Sequence, residues 1–193
     1  MGPPKVQATY MKQFAARVEL LGAPSEKVVA ADPELFTKID AAGRLSWLSA
    51  ELNVRMIDAL EKGLGPKRAH EFQADQITSQ FSTPLWRGFV EGGIRTLGFD
   101  PAVLARWIPS ALRLIFKDCG EWSVERLSDT SAALHARWLP TELTQGRRWL
   151  ESIASGIHAL FILCRTTGET HLIRFDPETG SARIELHWKA AAQ

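Results

Sequence analysis

Apolar positions recur every three or four residues from Thr9 to about residue 118, and every second residue in two later stretches. Tyr10, Phe14, Val18 and Leu21 follow Thr9 at helical spacing, and "GAP" closes that run. Asp32-Pro33 starts a short helix carrying Leu35, Phe36 and Ile39: the Asp side chain caps, and a proline at the first position has no donor to lose. Ser46 is expected to cap a longer helix with the stripe Leu48, Leu52, Met56, Ala59 and Leu60. "GLGP" ends it, and Pro66 opens the next helix. That helix shows only Ala69, Phe72, Ile77 and Phe81 on its apolar face, which predicts a surface position. A further helix is expected over 84–97, with Gly88 and Gly92 on one face and Gly98 as its cap. Asp100-Pro101 repeats the start signal, and Pro109 should break or kink the helix begun there. Residues 1–8 show no period and are expected to be unstructured.

The period changes at "LIFKDCGEWSVE", which reads as a helix end, a glycine hinge and a first strand. "EWSVERL" and "AALHARW" flank the turn "SDT" and alternate as a hairpin with one buried face, on which Trp122, Leu134, Ala136 and Trp138 fall. "GRRWLESIASGIHALFILC" returns to a helical pattern, apolar on nearly all sides toward its end, and is expected to be one central helix. "ETHLIRF" and "SARIELHW" flank "DPETG" as a second hairpin. Ala182, Ile184, Leu186 and Trp188 share its buried face. Two hairpins separated by a buried helix can join into one antiparallel four-stranded sheet with helices on its apolar face. The expected fold is α+β with a helical N-terminal two thirds. Its expected organisation is a single domain over 1–193, with 9–118 helical and 119–188 forming hairpin, helix and hairpin.

Composition narrows the function classes. The net charge of +1 argues against generic binding to nucleic acid or anionic membranes, which rests on clustered Lys and Arg. No apolar run approaches the roughly 20 residues of a membrane span, and "MGPPKVQATYMK" lacks the apolar centre of a signal peptide. A cytoplasmic location is expected. The two cysteines, Cys119 and Cys164, lie far apart, with no close Cys or His pair of zinc-site spacing. They read as reduced, buried thiols, and no metal or cofactor is expected.

Catalytic signatures are sparse. No Gly-x-Ser-x-Gly elbow occurs. Cys119 could pair with His135 or His158 only through folding, and it reads more simply as packing beside Gly120. His135 and His187 fall on the polar faces of their strands; His171 shares the last hairpin, its face unsettled. Glu151, Ser155 and His158 share one helix face, which suits either solvent or a pocket. Seven tryptophans are many for 193 residues, and they suit core packing or an aromatic-walled ligand site.

"GRLSWLSAEL", "PLWRGFVEGGIRTLGF", "FKDCGEWSVE" and "WLESIASGIHALFILC" followed by "LHW" resemble a family expanded in myxobacteria. The resemblance runs from about Gly43 to Trp188 and brings no activity with it. More distantly, the C-terminal half resembles the superfamily of heme-NO-binding domains, 4-vinyl-reductase-type domains and Bet3-like trafficking subunits. That resemblance implies helices over a sheet of two hairpins, and either a small hydrophobic ligand in the core between them or a dimeric scaffold. Heme-NO-binding domains use a proximal histidine and a Tyr-x-Ser-x-Arg motif. The single tyrosine here, Tyr10, is followed by "MKQF", so the motif is absent. Vinyl-reductase-type domains carry C-terminal cysteine clusters, where this chain has Cys164 alone.

The leading expectation is a non-enzymatic signalling or adaptor domain holding a small hydrophobic ligand between helices and sheet. Trp107, Ile115, Cys119, Trp122, Trp149, Ile153 and His158 are its expected lining. The alternatives are a homodimeric interaction scaffold with a filled core and a Gly88/Gly92 face, and a tetrapyrrole-type sensor or an enzyme.

Overall fold

The structure, a computed structural model, describes residues 2–80 and 100–189. The expected helix over 84–97, with Trp86, Gly88, Gly92 and the cap Gly98, lies outside the described residues, as does Phe81. The described chain is α+β, with helices grouped in its N-terminal part and two antiparallel sheets.

Strand β1 (Lys5–Gln7) is followed by α1 (Ala8–Glu19), α2 (Ala23–Ala31), α3 (Pro33–Ala41), β2 (Trp47–Ser49), α4 (Glu51–Leu64) and α5 (Pro66–Gln80). After the undescribed segment come α6 (Pro101–Ala105), α7 (Ile108–Ile115), β3 (Phe116–Lys117), β4 (Glu121–Ser128) and β5 (Ser131–Arg137). The chain continues through α8 (Thr141–Thr144), α9 (Arg148–Ile157), α10 (Ala159–Leu163), β6 (Gly168–Asp176) and β7 (Ser181–Trp188).

The start signals act as the chemistry requires. Asp32 accepts from the Leu35 N–H at 3.2 Å and holds the Arg55 guanidinium of α4 at 2.8 and 2.7 Å, so one carboxylate both caps α3 and ties it to α4. Asp100 accepts from the Ala102 N–H at 2.8 Å to begin α6. Pro109 sits in the first turn of α7, so the break predicted there falls between α6 and α7.

The larger sheet has the order β4-β5-β7-β6. Each hairpin pairs with itself, and β5 joins β7 with Leu134 opposite Ile184 and Ala136 opposite Ala182. The expected alternation holds along β7: Ala182, Ile184, Leu186 and Trp188 are buried, with His187 on the exposed side. Gly120, at φ +87, makes the hinge before β4, and a side chain there would strike the Arg137 carbonyl at 2.8 Å.

Several expectations are corrected. Residues 1–8 are not unstructured throughout: β1 is the middle strand of a small sheet ordered β2-β1-β3, and Val6 is fully buried. Three residues carry too little pattern to reveal a strand whose partners lie 40 and 110 positions away. The segment after Ser46 forms β2 before α4, which begins at Glu51. The region 9–118 therefore holds two short strands as well as helices. The run "GAP" closes α1 but also opens α2, with Pro24 in its first turn. Trp138 is 55% exposed: β5 ends at Arg137, Trp138 takes a left-handed φ of 55°, and Leu139 points inward in its place.

The expected single central helix is two helices meeting at His158. The Ala154 carbonyl, four residues back, accepts from the Thr170 hydroxyl of β6 at 2.8 Å, and the His158 N–H bonds instead to the Ser155 carbonyl at 3.1 Å. The helix is thus docked on the sheet at the point where it is interrupted.

Candidate functional site

Helix α5 is not a surface helix. Its buried residues are Ala69, Phe72, Gln73, Gln76 and Gln80, spaced as one helix face, together with Ala74. It packs against α4 and α9, and Gly156 of α9 permits the approach, since a Cβ there would stand 3.0 Å from Ile77. The Ser155 hydroxyl of α9 lies 2.6 Å from His70 Nδ1 of α5 and donates to or accepts from it, pinning the two helices together.

Between these helices, α1, α6 and α7 lies a cavity of about 140 Å³. Its walls are mostly apolar, from Phe14, Ile77, Ile108, Leu112, Ile157 and Leu160 among others. Its polar lining residues include Gln73, Gln76 and Gln80 of α5, Asn53 of α4, Ser152 of α9 and Tyr10 of α1. None of the described lining residues carries a charged side chain.

A chain of aromatic rings runs from the cavity wall to the sheet. Tyr10 meets Phe14 and Phe116 edge-on at centroid distances of 5.9 and 6.0 Å, Phe116 meets Trp149 at 5.5 Å, and Trp149 meets Trp122 of β4 at 6.0 Å. The Trp149 indole donates to Asn53 Oδ1 at 3.1 Å. Burial holds the Tyr10 hydroxyl well above the ordinary phenol range, partly offset by Asn53.

The seven residues expected to line a ligand site do not all reach the cavity. Trp107, Ile115 and Ile153 line it. Trp149 is fully buried in the aromatic chain behind Phe116. Trp122 is half-buried at the sheet edge of that chain and donates to the Cys119 carbonyl at 3.3 Å. His158 sits at the α9–α10 junction, edge-on to Phe161 at 5.6 Å. No strand of the four-stranded sheet lines the cavity, so its place is among the helices and not between helices and sheet. The cause is α9, which turns one face to β6 and another to the cavity.

Cys119 is buried, and its thiol faces the Lys117 and Lys5 carbonyls at 3.2 and 3.6 Å. Burial, helped by the neighbouring Asp118 charge, pushes the thiol up to about 12, the opposite of an activated nucleophile. His135 is engaged by Glu125 at 2.9 Å. Within the expected strip Glu151, Ser155 and His158, Glu151 is exposed while Ser155 is buried against α5. Among the described residues, no group of three His, Cys, Asp or Glu side chains could hold a metal ion.

The sequence pattern does not reveal Gln73, Gln76 and Gln80 as cavity residues. A buried amide does not register in a hydrophobic pattern, yet their spacing places all three on the face that carries Phe72.

Comparison with known proteins gives the fold its relatives. No protein-family model matches the chain, and no curated protein matches it. Solved structures do. The unliganded Fe(II) H-NOX protein from K. algicida matches with a TM-score of 0.66 and 11% identity, over 97% of this chain and 98% of that one. An oxygen-binding H-NOX domain related to soluble guanylate cyclases matches with a TM-score of 0.62 and 10% identity, over 95% of each chain.

The fold is that of H-NOX domains.

A third match, with a TM-score of 0.62, 8% identity and 97% coverage of each chain, is a structure concerned with heme redox potential and porphyrin distortion. Whether heme suits the present chain is a question for its own residues. Proteins hold heme iron through His, Cys, Met or Tyr. Of these types, the described cavity lining holds only Tyr10, whose hydroxyl is buried and faces Asn53. The undescribed segment 81–99 contains none of the four in its sequence. The volume of about 140 Å³ also falls below the roughly 300–1,000 Å³ of sites for drug-sized ligands. The residues do not fit heme.

Proposed function

We propose that this protein is a non-enzymatic signalling or adaptor domain that binds one small hydrophobic ligand in the cavity among its helices. The observation that carries the reading is the cavity itself: about 140 Å³ and apolar on most sides. An apolar cavity of about 150 Å³ in another protein binds benzene, so a single ring is the natural scale of ligand. The aromatic chain from Tyr10 to Trp122 connects the cavity wall to strand β4, so occupancy would be felt at the sheet. The H-NOX fold supports a sensing role by analogy alone. A cytoplasmic location accords with both cysteines being free thiols. Among the described residues, no helix is long and apolar enough to cross a membrane.

The test is a melting curve with and without toluene. A ligand that binds only the folded state raises the melting temperature. Wild type should shift upward with toluene concentration. Ala111→Phe, which places a ring in the cavity from α7, should fold and show no shift. A wild type indifferent to toluene, or a shift that Ala111→Phe leaves intact, would sink the reading.

A further inference from the structure

The small sheet β2-β1-β3 buries one face and leaves the other open. Val6 and Phe116 are buried, and Leu48, opposite Val6, is partly buried. The alternate positions therefore share the outer face: Trp47 and Ser49 of β2, Lys5 and Gln7 of β1, and Lys117 of β3. Trp47 is 39% exposed there, and Leu45, two residues before it in a tight turn, is 89% exposed. That turn is fastened to the body of the protein. The Ser46 hydroxyl donates to the Gly43 carbonyl at 2.6 Å, the Ala8 N–H to the Ser46 carbonyl at 3.0 Å, and the Thr9 hydroxyl to the Arg44 carbonyl. The fold holds an aliphatic side chain out in water beside an exposed indole.

The charge on this face has one sign. Lys5 stands directly opposite Lys117, a like-charge pair that weakens the pairing of its strands. Arg44, exposed beside Leu45, adds a third cation. Among the described residues, none of the three is in an ion pair with a carboxylate. The acidic neighbours in the chain are engaged elsewhere. A Cβ at Gly2 would meet the Asp118 carboxylate at 3.1 Å, and Glu51 opens α4, whose N-terminus favours negative charge. The whole-chain charge of +1 conceals this cluster, because its three cations come from separate stretches that only the sheet brings together.

A partner for this face must be anionic and must also accept an aliphatic chain and an indole. The boundary of an anionic bilayer offers both: phosphate and carboxylate at the headgroups, hydrocarbon just beneath. A projecting leucine can enter it without a shaped pocket, an indole settles at headgroup level with its N–H in the wet layer, and lysine stems reach outward to the charges. A nucleic acid would match the cations, but it has no use for Leu45.

We propose that the outer face of the small sheet, led by Leu45 and Trp47 and flanked by Arg44, Lys5 and Lys117, docks the protein peripherally on an anionic lipid surface. This docking does not depend on the cavity.

The test is flotation of the full chain with vesicles of phosphatidylcholine mixed with phosphatidylserine, and with vesicles of phosphatidylcholine alone. Wild type should float with the mixed vesicles, stay behind with the neutral ones, and be released by added salt. Lys117→Ser should lower the partition about fivefold, and Leu45→Ser roughly tenfold. Both side chains are exposed, so melting temperatures should stay at the wild-type value. Ile173→Ser, a 55% exposed aliphatic position on β6 of the other sheet, should leave the partition unchanged. A wild type that ignores the mixed vesicles, or floats equally with neutral ones, would overturn the proposal. So would wild-type flotation of both Lys117→Ser and Leu45→Ser, or an equal loss in Ile173→Ser. Release from the vesicles by a single-stranded oligonucleotide that still binds Leu45→Ser as well as wild type would assign the face to nucleic acid instead.

Discussion

The four-stranded sheet and the wall formed by α5 are built on opposite terms. On the sheet, Leu134, Ile184 and Leu186 are fully buried, and the register places Leu134 directly opposite Ile184. Every second residue of β7 turns inward. On α5 the buried face has the right helical spacing, yet three of its members are glutamines, and the amide of Gln76 is unpaired. The sheet is where sequence, register and packing agree. The α5 wall departs from that agreement, and such departures mark the places where a protein gives up stability for another purpose. Helix α9 stands between the two regions, docked on β6 through Thr170 and facing the cavity with Ile153 and Gly156.

Substitutions can break the contrast or sharpen it. The largest effect should come from the filled side. Trp149→Ala removes the 1% exposed ring that joins Phe116 to Trp122 and leaves Asn53 Oδ1 without its indole donor. A loss of about 3–5 kcal/mol is expected, read as a lower urea midpoint with an unchanged slope. A loss below about 1 kcal/mol would mean that this part of the core is not packed as described.

The α5 wall should respond with the opposite sign. Gln76→Leu replaces an unpaired buried amide by an apolar side chain of similar size, so the ligand-free protein should gain about 1–3 kcal/mol. The same urea titration checks it. A variant that is less stable than wild type would show that the Gln76 amide is satisfied in solution.

The smallest effect belongs to the tie between α3 and α4. Arg55, through its hydrogen bonds, holds the Asp32 carboxyl below its ordinary value of 3.8, with the Leu35 N–H helping. A carboxyl depressed in the folded state contributes stability above its unfolded value, and that contribution is lost as pH falls through the folded value. Asp32→Asn keeps a capping oxygen but loses the ion pair. It should cost up to about 1 kcal/mol at pH 7 and flatten the stability profile below about pH 4. Melting curves from pH 7 to pH 2 read this directly, and a profile as steep as wild type would assign the acid limb to other carboxylates.

The same contrast explains what was legible in the sequence. The hairpins were legible because a half-buried strand writes its environment into alternate residues, as β7 does from Ala182 to Trp188. Trp138 broke the pattern because its left-handed backbone turns it out of the strand, and composition does not report φ. Strand β1 was hidden because only its distant partners Ser49 and Phe116 make it a strand. The division of the central helix at His158 depends on a hydroxyl from β6, which no local period records. Of the expected ligand residues, Trp107, Ile115 and Ile153 border the cavity because large apolar residues are good guesses for any enclosed wall. The glutamines were passed over for the converse reason. Their helical spacing was visible, but amides are ordinarily read as facing solvent, and only the packed helices show that they do not.

The most direct test of the central claim, that an H-NOX fold here encloses a compact uncoloured ligand site instead of a heme site, is a native mass spectrum of the freshly purified chain taken with its absorption spectrum. The expected result is a colourless protein carrying a single-ring molecule that is released on denaturation. A visible porphyrin band together with an added mass of tetrapyrrole size would contradict it.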